Sequence, residues 1–268
     1  MAAGSFVGPG RFTRHSNNVT RRRIDPAKAA DLPLKAPEPP AYQWGGCYVG
    51  ANAGGGTTGV NFNGTVDPGT YLLAANGDPA LVSSSATGGA NADGFVGGGQ
   101  VGCNYQTGTL VLGLEGDFDY FRSNPNFSNN TNTLSAAAGS AAFTATQSVT
   151  TNYLATVRPR VGIAADRNFA YLTGGAAFTD ASYSQTYADA NGGAGAVSAS
   201  KALVGWAAGA GWEYAWADHW TFRAEYLYAS FPTISAVGTI TGPGGTNTLH
   251  GSTDLVVQVL RAGVNFKF

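Results

Sequence analysis

The C-terminal stretch Asp254 to Phe268, reading DLVVQVLRAGVNFKF, alternates with a period of two. Counting back from the end, Phe268, Phe266, Val264, Ala262 and Leu260 share one face. Lys267, Asn265, Gly263 and Arg261 share the other. Successive side chains of a strand point to opposite faces, so this is a strand with an apolar side and a polar side. It is long for a soluble strand and ordinary for a membrane strand, where about 9–11 tilted residues cross the bilayer. The rest of the chain must give it two neighbours.

The 268 residues suffice for a sizeable domain. A net charge of -1 points to neither nucleic acid nor an acidic surface as partner. Charged residues make up 12% and glycines number 39, a composition that suggests neither a soluble enzyme nor charge-driven disorder. No window approaches the roughly 18 apolar residues of a membrane helix. A closed barrel is the other structure that pairs every backbone group in lipid.

Residues 1–29 carry Arg11, Arg14 and the run Arg21, Arg22, Arg23, with no apolar core behind them. They do not form a working secretory signal as written, although Ala27-Lys28-Ala29 has the small-x-small form of a cleavage site. The region reads as a disordered basic tail, or as a misassigned start or defective signal. Residues 30–43, ADLPLKAPEPPAYQ, are a Pro-rich extended linker. The alternating region, 44–268, begins at Trp44.

Eight strands are expected, over 46–56, 94–105, 109–122, 149–165, 169–182, 201–215, 219–231 and 253–268. The second, fourth and sixth end in tight turns at 106–108, 166–168 and 216–218. The other connections, 57–92, 123–148, 183–200 and 232–251, read as long, accessible loops rich in Gly, Ser, Thr and Asn. Short turns on one side and long loops on the other are the pattern of an outer-membrane barrel.

Each strand carries its charges on one face. Leu110, Leu112, Leu114, Phe118 and Tyr120 alternate with Glu115, Asp117 and Asp119. Tyr153, Val157, Val161 and Ile163 alternate with Asn152, Arg158 and Arg160. Trp212 and Tyr214 oppose Glu213; Trp220, Phe222, Tyr226 and Tyr228 oppose Arg223 and Glu225. A soluble barrel would turn the apolar faces inward, a membrane barrel outward. The aromatics cluster near strand ends, as two girdles at lipid interfaces do, and favour the membrane arrangement.

The runs WGGCYVGANAGGG, GFVGGGQVGCNYQ, LGLEGDFDY, YLATVRPRVGIA, YLTGGAAF, GWAAGAGWEYAWADHWTFRAEYLY and VLRAGVNFKF resemble the small outer-membrane immunogenic proteins of alpha-proteobacteria. The resemblance covers about Trp44 to Phe268. It implies an OmpA-like eight-stranded antiparallel up-and-down transmembrane β-barrel in the cell outer membrane. ADLPLKAP resembles the mature start of that family, and Phe268 matches the terminal aromatic that its barrel-assembly machinery reads. Two departures stand out. The family's signal peptide is missing, and Pro159 lies mid-strand, where the lost ladder donor predicts a bulge.

Other motifs carry little. Gly97, Gly99 and Gly102 spell GxGxxG, but inside a strand with no helix after it, so close strand packing explains them better than a cofactor. His15, His219 and His250 lack ligand spacing, so neither metal nor cofactor is expected. No catalytic constellation stands out, and an enzyme is not expected. Cys47 and Cys103 fall at the same end of adjacent antiparallel strands and are expected to form a disulfide.

With apolar faces to lipid, Glu115, Asp117, Asp119, Glu213 and Glu225 point inward with Arg158, Arg160, Arg223, Arg261 and Lys267. An eight-stranded barrel is narrow enough for side chains to fill, so these charges should pair across the lumen. The expected role is structural: envelope integrity, contact with outer-membrane lipid and display of surface loops. A small pore for ions or solutes and a soluble lipocalin-like carrier are the rivals. The sequence names no surface ligand.

Overall fold

The computed structural model describes residues 42–268 and, upstream, residues 4, 5, 8, 10, 11 and 13. The expectations for 1–29 and for most of the 30–43 linker therefore lie outside the described residues. The chain divides into two units, Met1–Pro40 and Ala41–Phe268, and the second holds every strand and helix of the described residues.

Nine strands run in chain order: β1 Gly46–Val66, β2 Gly88–Thr107, β3 Leu110–Ser123, β4 Asn126–Thr133, β5 Ala142–Ala165, β6 Asn168–Asp189, β7 Ala194–Ala215, β8 Trp220–Gly242 and β9 Gly245–Lys267. Helix α1, Asp78–Ser85, interrupts the first long connection. Eight of the strands close a ring in the order β1, β2, β3, β5, β6, β7, β8, β9 and back to β1, every pair antiparallel. β4 is not a ring member. It follows β3 after Pro125 and pairs only with β5.

The faces sort as lipid demands. Leu114, Phe118, Leu172, Trp206 and Leu260 lie on the outer surface, while Arg158 and Arg261 are fully buried inside. A soluble carrier would need the opposite. Trp212, Trp220, Phe222 and Phe266 ring the short-turn end, and Phe118, Tyr120, Trp206 and Tyr226 the other. From Trp220 to Tyr226 the outward positions of β8 rise by about 15 Å at ordinary strand rise and tilt.

The strands are much longer than the alternation suggested. In place of two of the expected loops, 183–200 and 232–251, the strands simply continue, and they run into the ends of the other two. β6 and β7 turn within 190–193, and β8 and β9 turn at Pro243-Gly244, with Gly244 in the left-handed region that a tight turn uses. Only 67–87 and 124–141 are long connections, and the second of these contains β4. The reason is an inversion of polarity. On β9 the outward positions change from Leu260, Ala262, Val264 and Phe266 to Ser252, His250 and Thr248. The inward positions change from Arg261 and Asn265 to Leu255, Val257 and Val259. Beyond the membrane the wall faces polar surroundings and encloses an apolar core, so a pattern of apolar-outward strands fails just where the strands go on.

That core joins Phe62, Phe121, Phe143, Tyr183, Phe231, Ile234 and Leu249, with Leu72 and Val82 of the first connection inserted into it. A second cluster, around Trp44, Val111, Phe169 and Tyr171, lies at the opposite end. The charged layer lies between the two.

Pro159 does not distort its strand. It faces outward, and the β5–β6 register is the same at Val157↔Ala176 and Arg160↔Thr173. Its carbonyl still accepts a bond from Thr173 Oγ1 at 2.9 Å. The bulge lies instead between Thr150 and Leu154. There Asn152 is turned outward and both its backbone N and its Nδ2 donate to Asp180. The lost donor still shows in the ladder, since no β5–β6 pair forms at 158 or 159, but the register resumes unshifted on the far side.

The core makes a direct prediction. Phe121→Ala, inside the larger apolar core, should cost about 3–5 kcal/mol of stability in urea unfolding from lipid vesicles. Leu260→Ala on the lipid face leaves no internal cavity and should change the midpoint far less.

Candidate functional site

The lumen between the two apolar clusters holds five acids and four arginines, all nearly inaccessible to solvent. Strand alternation places them there. Glu115, Asp117 and Asp119 are the inward positions of β3, Arg158 and Arg160 those of β5, and Glu115↔Arg158 and Glu225↔Arg261 are direct cross-strand pairs. Arg158 Nη2 reaches Glu115 at 3.0 Å, Asp117 at 2.8 Å and Glu225 at 3.2 Å. Arg261 joins Glu225 at 2.7 Å, Asp117 at 3.0 Å and also Asp119. Arg223 bridges Glu115 at 2.7 Å and Glu225 at 2.6 Å. Arg160 holds Glu213 at 2.6 Å.

The network thus spans the bore, from β3 and β5 to β8 and β9. Such charges are tolerable only when each is paired and hydrogen-bonded. Neutral side chains add to the pairing: Tyr171 donates to Glu225 at 2.8 Å, Tyr48 donates to Glu115, and Thr156 donates to Asp117 at 2.5 Å. Nothing in their residue type marked these three, but their inward parity was available. Gly98 on β2 shows how tightly the layer is filled, since a side chain there would collide with Asp119 and the backbone at Phe118.

Lys267 does not join this layer. It sits at the rim, where its Nζ donates to the Gln43 carbonyl and lies 4.6 Å from the centre of the Tyr42 ring. It is the last residue of β9, below the level that the carboxylates reach.

The lumen is closed below by the chain itself. Trp44 is buried, packs at a tilt against Phe169 at 5.2 Å between ring centres, and donates from Nε1 to the Asp166 carbonyl at 3.0 Å. Its backbone N donates to Gln106 Oε1 at 2.6 Å. Above, the first connection folds inward. Asp78 is buried and accepts bonds from Ser135 N and Oγ. Tyr71 donates to both oxygens of Asp189 at 2.8 Å. Burial, then the bond to Asp189, pushes the Tyr71 phenol up to about 12.

Cys47 and Cys103 face each other in register and are joined by a disulfide near the lower rim. Phe268 is exposed and its backbone N donates to the Cys47 carbonyl at 3.0 Å. Gly97 and Gly99 lie on the outer face of β2, and Gly102 leaves room for the Tyr48 ring. His219 bonds to the Lys267 carbonyl and His250 to Asp67, far from each other in the fold, and among the described residues no cluster could hold a metal.

A closed antiparallel ring with apolar residues outside and ion pairs inside defines an integral membrane barrel of the outer-membrane type. The chain belongs to the outer membrane protein beta-barrel domain family, which matches residues 29–268, and it is a protein of the outer membrane. It is 30% identical over 260 residues to the 31 kDa outer-membrane immunogenic proteins of Brucella melitensis and Brucella suis, covering 90% of this chain and 93% of each relative. Among solved structures it aligns with the outer membrane protein OprG from Pseudomonas aeruginosa at 12% identity and a TM-score of 0.40, covering 85% of this chain and 99% of that one.

Arg158→Ala leaves Glu115 and Asp117 each short of a partner and should destabilise the folded barrel by about 3–5 kcal/mol, read by denaturant titration in vesicles. Replacing Cys47 and Cys103 by Ser should cost roughly 4 kcal/mol on the chain-entropy model, with the fold retained. The Tyr71 phenol is raised, so its contribution is fully present below its ordinary value of 10.0 and lost as pH climbs through about 12. Limited proteolysis across that interval should expose 67–87 progressively in the native protein, and a Tyr71→Phe variant should lack that step.

Proposed function

We propose that this protein is a structural barrel of the outer membrane, closed to solutes, that supports the envelope and displays a surface to the exterior. The single observation that carries this reading is the filling of the lumen at three successive levels. Trp44 and its neighbours close the lower mouth, the arginine–carboxylate layer fills the middle, and the apolar core with Leu72 and Val82 fills the upper half.

The same filling argues against an enzyme. Each carboxylate of the middle layer is bound by at least one guanidinium and withdrawn from solvent, which leaves no free acid or base and no path for a substrate. The Brucella relatives are named as immunogenic outer-membrane proteins. By analogy, the surface seen by antibodies on this chain is the upper wall and the connections 67–87 and 124–141. The exposed Phe268 side chain at the end of β9 is the feature that barrel-assembly machinery would read.

Planar-bilayer recording tests the closure. The intact protein is expected to give no steady single-channel current. Arg158→Ala, Trp44→Ala and Leu72→Ala together loosen all three levels, and only that triple variant should flicker open. Steady conductance by the unaltered protein, insensitive to these changes, would make it a pore.

A further inference from the structure

The wall continues well above the upper aromatic girdle. From Tyr228 to Gly242, β8 alone rises by about 35 Å at ordinary strand rise and tilt. This upper wall prolongs seven strands of the lipid-facing band, with β4 taking the place of β3 beyond Pro125 and the β7–β8 pairing lapsing between Ala196 and Trp206.

Its chemistry differs from both the band below and an ordinary protein surface. The outward positions are hydroxyls and amides, such as Asn61, Thr65, Ser184, Thr186, Ser200 and Thr239, all exposed. Many pair across strands, as Ser182 does with Ser200 and Ser128 with Thr146, each at 3.0 Å. Charge is scarce there. The outward ladder positions of this wall that carry charge are Asp93, Arg122, Asp180, Lys201 and Asp254. Three of these are acids engaged by a neighbouring side chain, Thr57, Asn152 or Thr233. A water-facing domain surface usually carries about 25–35% charged residues of both signs. Outward aliphatic residues, dense below the girdle at Leu112, Leu172, Val204 and Leu260, thin to few here, Val237 among them.

We propose that the upper wall is a docking surface for the neutral sugars of the outer-leaflet glycolipid, which would pack around the barrel as acyl chains pack around the band beneath. A dense array of fixed hydroxyls and amides exchanges hydrogen bonds with sugar hydroxyls directly or through single waters, and needs no charge to do so. Continuity with the lipid interface sets the height, since a glycolipid whose chains lie against Leu260 and Val204 carries its sugars up the face of Thr239 and Ser200. The proposal rests on the outer-membrane location and not on the closure of the lumen, so a conducting barrel would leave it standing.

Hydroxyl-radical footprinting of the folded protein in three bilayers tests it. One is phospholipid only, one contains the acylated, phosphorylated anchor of the glycolipid without its sugars, and one contains the full glycolipid. Val237 and His250 project outward from the upper wall and serve as reporters. Their labelling should fall only with the full glycolipid. The fall should be weakened in a Ser184→Glu, Thr186→Glu, Thr239→Glu variant, whose exposed positions leave folding intact by heat-modifiable migration. Equal labelling in all three bilayers overturns the proposal. A fall already complete with the sugar-free anchor also overturns it, because the contact would then be to phosphate or acyl chain.

Discussion

Closure of the ring depends on one pairing, β1 with β9. They run in register from Tyr48↔Lys267 to Val66↔Leu249, so the first and last strands cover each other's open edges along almost their full length. In hydrocarbon an unpaired backbone group has no water to turn to, and an open sheet edge would not be tolerated. With the ring closed, the outer face is free to be apolar and the inner face must deal with whatever polarity the alternation delivers. Every other feature of the molecule answers that second demand.

The inner face is dealt with in layers. A bore of eight strands admits side chains and little else. At mid-height the charges meet across it, and no arginine there relies on a single strand. Arg158 on β5 contacts acids on β3 and β8, and Arg261 on β9 contacts acids on β8 and β3. The layer is thus a set of cross-ties as well as a filling. Because its members desolvate one another, the apolar clusters on either side are part of the same device: they keep water from competing for the ion pairs.

The polarity inversion joins a membrane protein to something like a soluble one. Along β9 the inward side passes from Arg261 to Val259, Val257 and Leu255 with no break in pairing. The lower half is stabilised by lipid outside and ion pairs inside, the upper half by an apolar core in the ordinary way. That upper core is what lets the strands extend so far from the bilayer and remain ordered.

Much of the lower half was legible in the chain. Parity alone put Glu115, Asp117, Asp119, Glu213 and Glu225 with Arg158, Arg160, Arg223 and Arg261 on one side, and the tight turns at 106–108, 166–168 and 216–218 fixed which strands were neighbours. Alternation is a local property, and it survives whatever surrounds it. What only the tertiary structure decided was everything that depends on surroundings. Tyr183, Gln185 and Tyr187 alternate with Ser182, Ser184 and Thr186 as plainly as any membrane strand. Yet their inward side is the less polar one, because above the girdle the solvent has changed places. The filling of the lumen by Leu72, Val82 and Trp44, and the stop at the rim for Lys267, depend on distance along the barrel axis, which no periodicity records. A residue's face is written in its neighbours along the chain; its height, and so its solvent, is set only when the ring has closed.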